Sequence, residues 1–272
     1  MTVSIVTATF NAGKYIKKTI LSVLAQSFQD WEWYIVDGGS TDDTLSIIKN
    51  YSDNDKRIKL IISDNDKGPA HARSIGIKKS KSKYICFIDA DDLWHPDKIK
   101  SQIKFMEDNS YEFTYTLCRE LQKNNNFVSI LLPTSNKFTY KSYLKKRGIY
   151  AFTVIIKRKI LTDDIISIWN KDAYDDTIWW LLILNKGISA YLFPHDLGLY
   201  RISEDQLSSR RVHTIKKVYG LYDKLPNVSG CKNWLFLNYL FDSAFRHFKL
   251  KMYNKININK FHSKFEWFIN LK

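Results

Sequence analysis

The sequence predicts an α/β fold whose central sheet is mostly parallel in the first half of the chain and mixed in the second. Three observations support this prediction. Short β-branched apolar runs alternate with segments of helical periodicity through the first 110 residues. Polar residues follow the end of each apolar run, as at the carboxyl edge of a parallel sheet. The 272 residues, 44% hydrophobic and 15% aromatic, suffice for a sizeable core.

Strands and helices alternate regularly in the first half. The strands are predicted at Val3–Phe10, Trp31–Asp37, Arg57–Ser63 and Lys83–Asp89, and the helices at Tyr15–Gln26, Leu45–Tyr51 and Pro69–Lys79. Ser40 or Thr41 is the expected cap of the second helix, with Asp42 and Asp43 in its first turn. This order implies right-handed crossovers with helices on both faces of the sheet.

The second half is less regular. Strands are predicted at Tyr111–Glu120, Phe127–Leu132, Ala151–Ile156, Ile188–Phe193 and Leu197–Arg201, and helices at Leu93–Met106, Phe138–Lys146 and Tyr174–Lys186. Gly187 is the expected stop of the last of these helices. From Gln206 onward the pattern is helical, aromatic and basic.

The net charge of +14 is concentrated in the last quarter of the chain. From Gln206 to Lys272 there are thirteen Lys or Arg residues against three Asp or Glu, so a polyanionic partner is expected there. No apolar run is long enough for a transmembrane helix, and the first residues do not resemble a signal peptide. The three cysteines are expected to be free thiols in a reducing cytosol.

The polar residues that follow the four predicted strands indicate a binding site. They are Thr7, Ala8, Thr9 and Asn11 after the first strand, Asp37 after the second, Asp66 and Lys67 after the third, and Asp89, Ala90, Asp91 and Asp92 after the fourth. Any one of them alone is more simply a turn or cap residue. Four coincident strand ends favour a ligand site at this edge of the sheet.

The acidic run at the end of the fourth strand suits a divalent cation such as Mn²⁺ or Mg²⁺, because carboxylate oxygens are hard ligands. The alternative is a helix cap, with Asp92 in that role. The first strand is followed by TFNAGK, which contains neither the GxGxxG of dinucleotide-binding folds nor a phosphate-binding P-loop. Phosphates, if they bind, are therefore expected to be held by a metal and by side chains.

Four blocks of the sequence resemble the nucleotide-sugar half of family 2 glycosyltransferases, which have the GT-A fold. The blocks are VSIVTATFNAGKYIKKTILSVLAQSFQDW, EWYIVDGGSTDDT, KGPAHARSIGI and YICFIDADDLWHPDKI. Asp175–Ser203 is similar to the ED…W…G…YR segment of bacterial enzymes that build surface polysaccharides. The resemblance divides the chain into a nucleotide-sugar half (1–110), an acceptor half (111–205) and a C-terminal segment (206–272).

The resemblance implies a role for individual residues. Thr7 and Thr9 would line the base pocket, with Ala8 and Asn11 beside them, and Asp37 would accept a hydrogen bond from uracil. Lys67 belongs to the same donor site, and Arg73 would reach the base or the pyrophosphate. Asp89 would contact the ribose or metal-bound water next to Ala90, and Asp91 would bind the metal. Asp176, or its neighbour Asp175, would be the general base.

The sequence departs from the family pattern at three points. Members often read DDGS where this chain has Asp37-Gly38-Gly39-Ser40. The ED pair is Asp175-Asp176, so either carboxylate is a candidate base. Ile202 and Ser203 follow Arg201, where some relatives place a His, so a third metal ligand from the protein is doubtful.

The resemblance implies an inverting, metal-dependent transferase that uses a UDP-sugar. The expected acceptor is a saccharide linked to undecaprenyl diphosphate or part of lipopolysaccharide, at the inner face of a bacterial membrane, with the enzyme cytoplasmic and peripheral. The enzymatic alternative is a sugar-nucleotide nucleotidyltransferase. The alternative of another class is a nucleic-acid-binding protein that uses the basic tail, although no nucleic-acid module is recognised.

The segment Asn233–Leu250 is apolar almost all round at helical spacing and is followed by aromatic residues interleaved with lysines. This composition favours a helix that lies in the interface of an anionic membrane. The alternative is packing on the catalytic domain or on a second subunit in a homodimer, with Leu235, Leu237, Phe241 and Phe245 facing a core.

Overall fold

The computed structural model describes residues 1–63, 68–121, 127–131, 135–168, 175–202, 219–220, 222, 225, 228 and 231–241, and only the backbone of 127–131 and 175. The strands are β1 (Val3–Thr9), β2 (Trp31–Asp37), β3 (Ile58–Ile62), β4 (Tyr84–Phe87), β5 (Leu93–Trp94), β6 (Phe113–Leu121), β7 (Phe127–Leu131), β8 (Lys137–Phe138), β9 (Ile155–Lys157) and β10 (Ala190–Arg201). The helices are α1 (Ile16–Leu24), α2 (Thr44–Asn54), α3 (Pro69–Lys79), α4 (Lys98–Asp108), α5 (Tyr140–Lys145), α6 (Asp163–Ser167) and α7 (Asp175–Asn185). Residues 232–241 are also helical.

One mixed sheet organises the described part of the chain, in the order β3-β2-β1-β4-β9-β6-β10-β5. The first four strands in this order are parallel to one another, as the alternation of strands and helices predicts. Strand β9 is antiparallel to both β4 and β6 and so joins the two halves. The carboxyl ends of β1, β2 and β4 therefore lie side by side, and the end of β10 reaches the same region from the other half.

Alternate residues of the central strands contribute to two separate cores, because successive strand side chains point to opposite faces. On β4, Ile85 and Phe87 pack in one core with α3, α5, α7 and part of helix 232–241. Tyr84 and Cys86 pack in the other core with α1, α2 and α4. Cys86 is fully buried in this second core as a free thiol.

The helix predicted from Leu93 begins only at Lys98. Leu93 and Trp94 instead form the short strand β5, which pairs antiparallel with Gly198 and Leu199 of β10. Asp92 is consequently not a helix cap. Its carboxylate Oδ1 accepts the backbone N–H of Arg201 at 3.0 Å.

The predicted cap of the second helix is also wrong. Helix α2 begins at Thr44 with Asp43 at the N-cap position, so neither Asp42 nor Asp43 lies in its first turn. The Ser40 hydroxyl donates to Asp37 Oδ2 at 2.5 Å. The Asp42 carboxylate accepts the N–H groups of Gly13 and Thr44, and thereby joins the loop after β1 to the start of α2.

In the second half the element boundaries differ from the prediction. The strand predicted from Ala151 is a 3-10 helix (Ala151–Thr153) followed by β9, and the helix predicted at Phe138–Lys146 is β8 followed by α5. The two strands predicted between Ile188 and Arg201 are the single strand β10, whose pairing with β6 shifts register twice around Asp196. A second 3-10 helix (Arg158–Ile160) and α6 were not predicted.

Among the described residues, no helix combines the length and the apolar character that a membrane span requires.

Lys98, in the first turn of α4, is fully buried. Its Nζ donates to Gln102 Oε1 at 2.9 Å and lies 4.5 Å from the centre of the Trp94 ring. Gln102 Nε2 in turn donates to Thr114 Oγ1 at 3.1 Å and to the Thr153 carbonyl at 3.0 Å. Burial lowers the pKa of Lys98 to about 8, because the ammonium loses its hydration.

We expect this lysine to make the protein more stable as pH rises from about 8 to 9.5. The lysine of the unfolded chain, with a pKa near 10.4, keeps its proton through this window, whereas folded Lys98 loses it. The unfolded state then binds more protons, so the free energy of unfolding rises with pH, by about 1–2 kcal/mol over the window. Urea denaturation of the parent and of Lys98→Met across this range measures the difference.

All other titratable groups are common to both proteins, so the difference between parent and variant isolates Lys98. Lys100→Met, at an exposed position of the same helix, is the control and should follow the parent. Identical pH profiles for the parent and Lys98→Met would contradict the expectation.

Candidate active site at the carboxyl edge of the sheet

Thr7 and Asp37 hold the ends of β1 and β2 in place. The Thr7 hydroxyl donates to the Ile88 carbonyl at 2.8 Å and accepts the indole N–H of Trp33 at 2.9 Å. Asp37 Oδ1 accepts the N–H groups of residues 39 and 40 at 2.9 and 2.8 Å, which closes a turn through Gly39 at φ +92°. Both side chains are fully buried. Their direct contact with a nucleotide base stays a prediction.

The loop after β1 is joined to the loop after β2 through Asn11. Its backbone adopts a left-handed φ of 48°, its Oδ1 accepts the Thr41 N–H at 2.9 Å, and its own N–H donates to Ser40 Oγ at 2.8 Å. Ala8 is partly exposed beside Thr9. The Thr9 hydroxyl is buried and has no hydrogen-bond partner among the residues that the structure describes. A buried hydroxyl without a partner is costly, so this position suits a ligand atom.

Arg73, Asp89 and Asp176 come together from three different elements. Arg73, on α3, donates from Nη2 to Asp89 Oδ1 at 2.5 Å, and its side chain is almost fully buried. Burial raises the pKa of the Asp176 carboxyl, with the Arg73 charge opposing the rise and the Asp89 charge adding to it. Asp176 in the first turn of α7 therefore lies within electrostatic range of the end of β4.

The acidic turn after β4 is stabilised from the second half of the chain by Arg201, at the end of β10. Arg201 Nε donates to the Asp91 carbonyl at 2.9 Å, and the guanidinium lies 5.1 Å from the centre of the Tyr15 ring. Asp92 is fully buried, and its Oδ2 has no hydrogen-bond partner in the described part of the chain. Burial first, then the charges of Asp91 and Asp89, raise the pKa of Asp92 well above its usual range, and Arg201 opposes this.

Thr19 of α1 also holds this turn, through its side-chain hydroxyl. Its hydroxyl lies 2.9 Å from both the Ala90 and the Asp92 carbonyl oxygens. The three carboxylates are thus held in one turn by an arginine from each half of the chain and by a hydroxyl from α1. The two arginines are the positive charges that a run of three carboxylates requires.

The carboxylate oxygens of this turn are of the type that binds a hard divalent cation. Asp89 and Asp91 are both partly exposed and offer carboxylate oxygens. Among the described residues, no group of three or more His, Cys, Asp or Glu side chains is placed to hold a metal ion together. Asp89 and Asp91 are therefore the residues of this turn that could hold a divalent cation.

Some residues of the predicted site lie outside the part of the chain that the structure describes. Lys67 and Asp66 lie outside the described residues, as does the side chain of Asp175. Trp179 and Trp180, in the first turns of α7, are both buried in the core against Phe87.

The sequence pattern assigns no role to Arg201 and offers a helix cap as the individual role of Asp92, although both residues lie in the site. The one signal for Arg201 is its place in the YR of the block Asp175–Ser203. The signal for Asp92 is that a third carboxylate in four residues requires a compensating charge. Neither signal could identify the partner, because the two residues are 109 positions apart in the chain.

We expect Arg201→Met to lower the free energy of unfolding by about 2–4 kcal/mol, because it leaves Asp92 buried without its compensating charge. Asp92→Asn in the same chain should restore at least about 1 kcal/mol of this loss, since the amide keeps an acceptor for the Arg201 N–H but carries no charge. Urea denaturation of the two single variants and the double variant measures the coupling. Additive losses would contradict the charge pairing.

Residues 4–164 match the family described as Glycosyl transferase family 2. The glycosyltransferase TuaG of Bacillus subtilis (strain 168) is 32% identical over 238 residues, which cover 87% of this chain and 94% of TuaG. WfgD of Escherichia coli, named as a UDP-Glc:alpha-D-GlcNAc-diphosphoundecaprenol beta-1,3-glucosyltransferase, is 30% identical over 245 residues, 90% of this chain and 94% of WfgD.

Solved structures with the same fold have much lower sequence identity. S. aureus TarS (residues 1–349) in complex with UDP-GlcNAc aligns with a TM-score of 0.66 at 18% identity, over 92% of this chain and 73% of the TarS chain. The mannosyltransferase PcManGT from Pyrobaculum calidifontis, in complex with GDP-Man and Mn²⁺, aligns with a TM-score of 0.64 at 16% identity, over 93% of this chain and 72% of the other. The predicted GT-A-like α/β fold is confirmed.

Proposed function

The chain belongs to the family 2 glycosyltransferases, and from that premise we propose that it transfers a hexose or N-acetylhexosamine from a UDP-sugar to a saccharide acceptor, with inversion at the anomeric carbon. The observation that carries the proposal is the meeting of Arg73, Asp89 and Asp176 at the carboxyl edge of the sheet. In this proposal Arg73 and the acidic turn after β4 would lie on the donor side, and Asp176, whose pKa is raised, would lie on the acceptor side.

The donor is a UDP-sugar. The name of the relative WfgD specifies UDP-glucose, and TarS was solved with UDP-GlcNAc, which supports a uridine nucleotide here. The partnerless Thr9 hydroxyl and the tied loops after β1 and β2 form the wall on which the nucleoside would lie. The first residues of α3, which follow Gly68, would approach the diphosphate.

Asp91 and Asp89 would hold Mn²⁺ or Mg²⁺. A neighbour in the fold comparison was solved with Mn²⁺, which supports this assignment. When bound, the metal supplies positive charge beside the two phosphates. Arg73 contributes a second, fixed positive charge at the same place, so the negative charge that develops on the leaving diphosphate is stabilised. Arg201 holds the backbone of Asp91 and so sets where the metal-binding carboxylate lies.

Asp176 is the general base. The acceptor hydroxyl oxygen forms a bond to the anomeric carbon, the bond from that carbon to the β-phosphate oxygen breaks, and UDP leaves with the electron pair. The hydroxyl proton passes to the Asp176 carboxylate. The raised pKa of Asp176 makes it a better proton acceptor than an ordinary aspartate. Attack from the side opposite the leaving group is a single displacement, which inverts the anomeric configuration.

The acceptor is a saccharide on a lipid carrier such as undecaprenyl diphosphate, used to build a bacterial surface polysaccharide. The name of WfgD specifies a diphosphoundecaprenol acceptor, which supports this choice. The enzyme would then work in the cytoplasm as a peripheral protein on the inner face of the membrane. The basic C-terminal segment is the part of the chain that suits such a surface.

The family assignment decides against the two alternatives from the sequence. A nucleotidyltransferase would need a glycine-rich basic loop after β1, where this chain has the Asn11 turn. A nucleic-acid-binding function has no support from the family. The most direct test of the proposal is a screen of nucleotide sugars, with Mn²⁺ present, for thermal stabilisation and for transfer to lipid-linked acceptors.

We expect Asp91→Ala to abolish transfer and to remove the Mn²⁺ dependence of UDP binding, because Asp91 would no longer anchor the metal beside the diphosphate. Calorimetric titration of UDP with and without Mn²⁺ measures the binding. Asp53→Ala, at an exposed position on α2, is the matched control and should behave as the parent. Full activity of the parent in excess EDTA would disprove the metal assignment.

We expect Asp176→Asn to lower turnover by roughly 10² or more while UDP affinity changes little, since only the proton acceptor is lost. Turnover and UDP affinity are measured in parallel for this variant and for Asp175→Asn. An inactive Asp175→Asn beside an active Asp176→Asn would show that the neighbouring carboxylate is the base.

A further inference from the structure

Helix 232–241 has one face in the core and one face in solvent. Leu235 and Tyr239 are buried in the same core as α5 and α7. Trp234, Leu237 and Phe241 are 52%, 52% and 75% exposed. Their spacing of three and four residues places them along one side of the helix. Packing on the catalytic domain is confirmed for Leu235 but not for Leu237 or Phe241. Packing of these side chains on a second subunit stays a prediction, and Phe245 lies outside the described residues.

A basic surface pocket lies on the neighbouring helix α5. It has a volume of about 380 Å³, and its polar lining consists of Lys141, Lys145, Lys146, Ser135, Thr139 and Ser142. The Thr139 and Ser142 side chains form the capping box of α5. The three lysines are exposed, and none makes an ion pair within the described part of the chain. The lysines are therefore the groups available to an anion.

The pocket and the exposed face of the helix are continuous. Lys145, which lines the pocket, has its Nζ 4.9 Å from the centre of the Trp234 ring. The helix is fixed on α5 because the Arg147 guanidinium lies 4.7 Å from the Tyr239 ring centre and 5.6 Å from that of Tyr222, whose hydroxyl donates to the Leu144 carbonyl at 3.1 Å.

We propose that Trp234, Leu237, Phe241 and the lysine pocket form one docking surface for an anionic lipid bilayer. The three apolar side chains would enter the headgroup region, and Lys141, Lys145 and Lys146 would bind lipid phosphates. Tryptophan with an adjacent lysine matches the layered structure of that region, apolar on one side and charged on the other. The biological role of this surface rests on the proposed function, because docking would hold the enzyme where its lipid-linked acceptors are. The binding to lipid itself does not depend on that function.

The charge of the surface favours a bilayer over a second copy of the chain. A second copy would bring three lysines toward the same three lysines across a two-fold axis. An anionic bilayer offers a phosphate to each of them. The other basic residues in the sequence of the C-terminal segment add to the attraction for the same partner.

The test is flotation of the full chain, without nucleotide, on two kinds of vesicle. One kind contains phosphatidylcholine alone, and in the other about a third of the lipid is anionic phosphatidylglycerol. We expect binding to the anionic vesicles at low salt and little to the neutral ones. The triple variant of Lys141, Lys145 and Lys146 to Gln should bind roughly 10²-fold more weakly, about fivefold per lysine. The triple variant of Trp234, Leu237 and Phe241 to Gln should lose about tenfold or more.

Two matched controls separate the surface from general charge and hydrophobicity. The Gln variant of Lys49, Lys56 and Lys100 changes net charge by the same amount at exposed positions elsewhere, and the Gln variant of Ile62 and Ile168 removes exposed apolar side chains elsewhere. Both should bind as the parent does. Equal weakening by the controls, or unchanged binding by both surface variants, would overturn the proposal.

Two further measurements decide the remaining outcomes. A parent that sediments as a dimer without lipid, and that the apolar triple variant turns into a monomer, would mean that a second copy covers the surface and would overturn the bilayer assignment. The UDP affinity of each variant is measured separately and should equal that of the parent. If the surface variants bind vesicles as the parent does and UDP binding is normal, the docking proposal fails and the transferase proposal stands. If the chain binds vesicles but no nucleotide sugar, the transferase proposal fails and the docking proposal stands.

Discussion

The compensation of the acidic turn after β4 by two arginines is the interaction on which the site depends. Three carboxylates in four residues, one of them fully buried, repel one another and lose hydration. Arg73, in the first half of the chain, forms an ion pair with Asp89. Arg201, in the second half of the chain, donates a hydrogen bond to the Asp91 carbonyl. Because each arginine belongs to a different half, the turn is correctly charged only when both halves are folded together.

The mixed sheet makes this meeting possible. Strand β9 runs antiparallel between β4 and β6, so the two halves share one sheet and the end of β10 reaches the end of β4. The short strand β5 completes the connection, because it leaves the acidic turn and pairs at once with β10. Gly198 allows this close approach, since a Cβ there would lie 2.6 Å from the Phe152 ring.

The first half of the fold could be predicted because each element has its own signal. Buried parallel strands are continuous apolar runs, and the helices between them have clear periodicity. The second half could not be predicted as well, because its elements are short and take their form from partners distant in sequence. Strand β5 exists only through β10, and β10 itself contains Pro194 and Gly198, which resemble a break in the sequence. The site residues divide in the same way into those that could be predicted and those that could not. Arg73 and Asp89 could be predicted because they lie in recognisable sequence blocks. The contact of Asp92 with Arg201 could not, because it is set by the pairing of strands that are distant in sequence.

The same core that positions Asp176 also holds the proposed docking surface. Helix α7 carries the proposed base Asp176 in its first turn and continues into the buried Trp179 and Trp180, which share a core with Tyr222, Leu235 and Tyr239. Packed side chains of this core therefore fix α7 and the described part of helix 232–241 against each other. With the proposed lipid-linked acceptor, the base would have to stay at a constant height above the lipid, and the shared core would provide this by fixing Asp176 relative to the proposed docking surface.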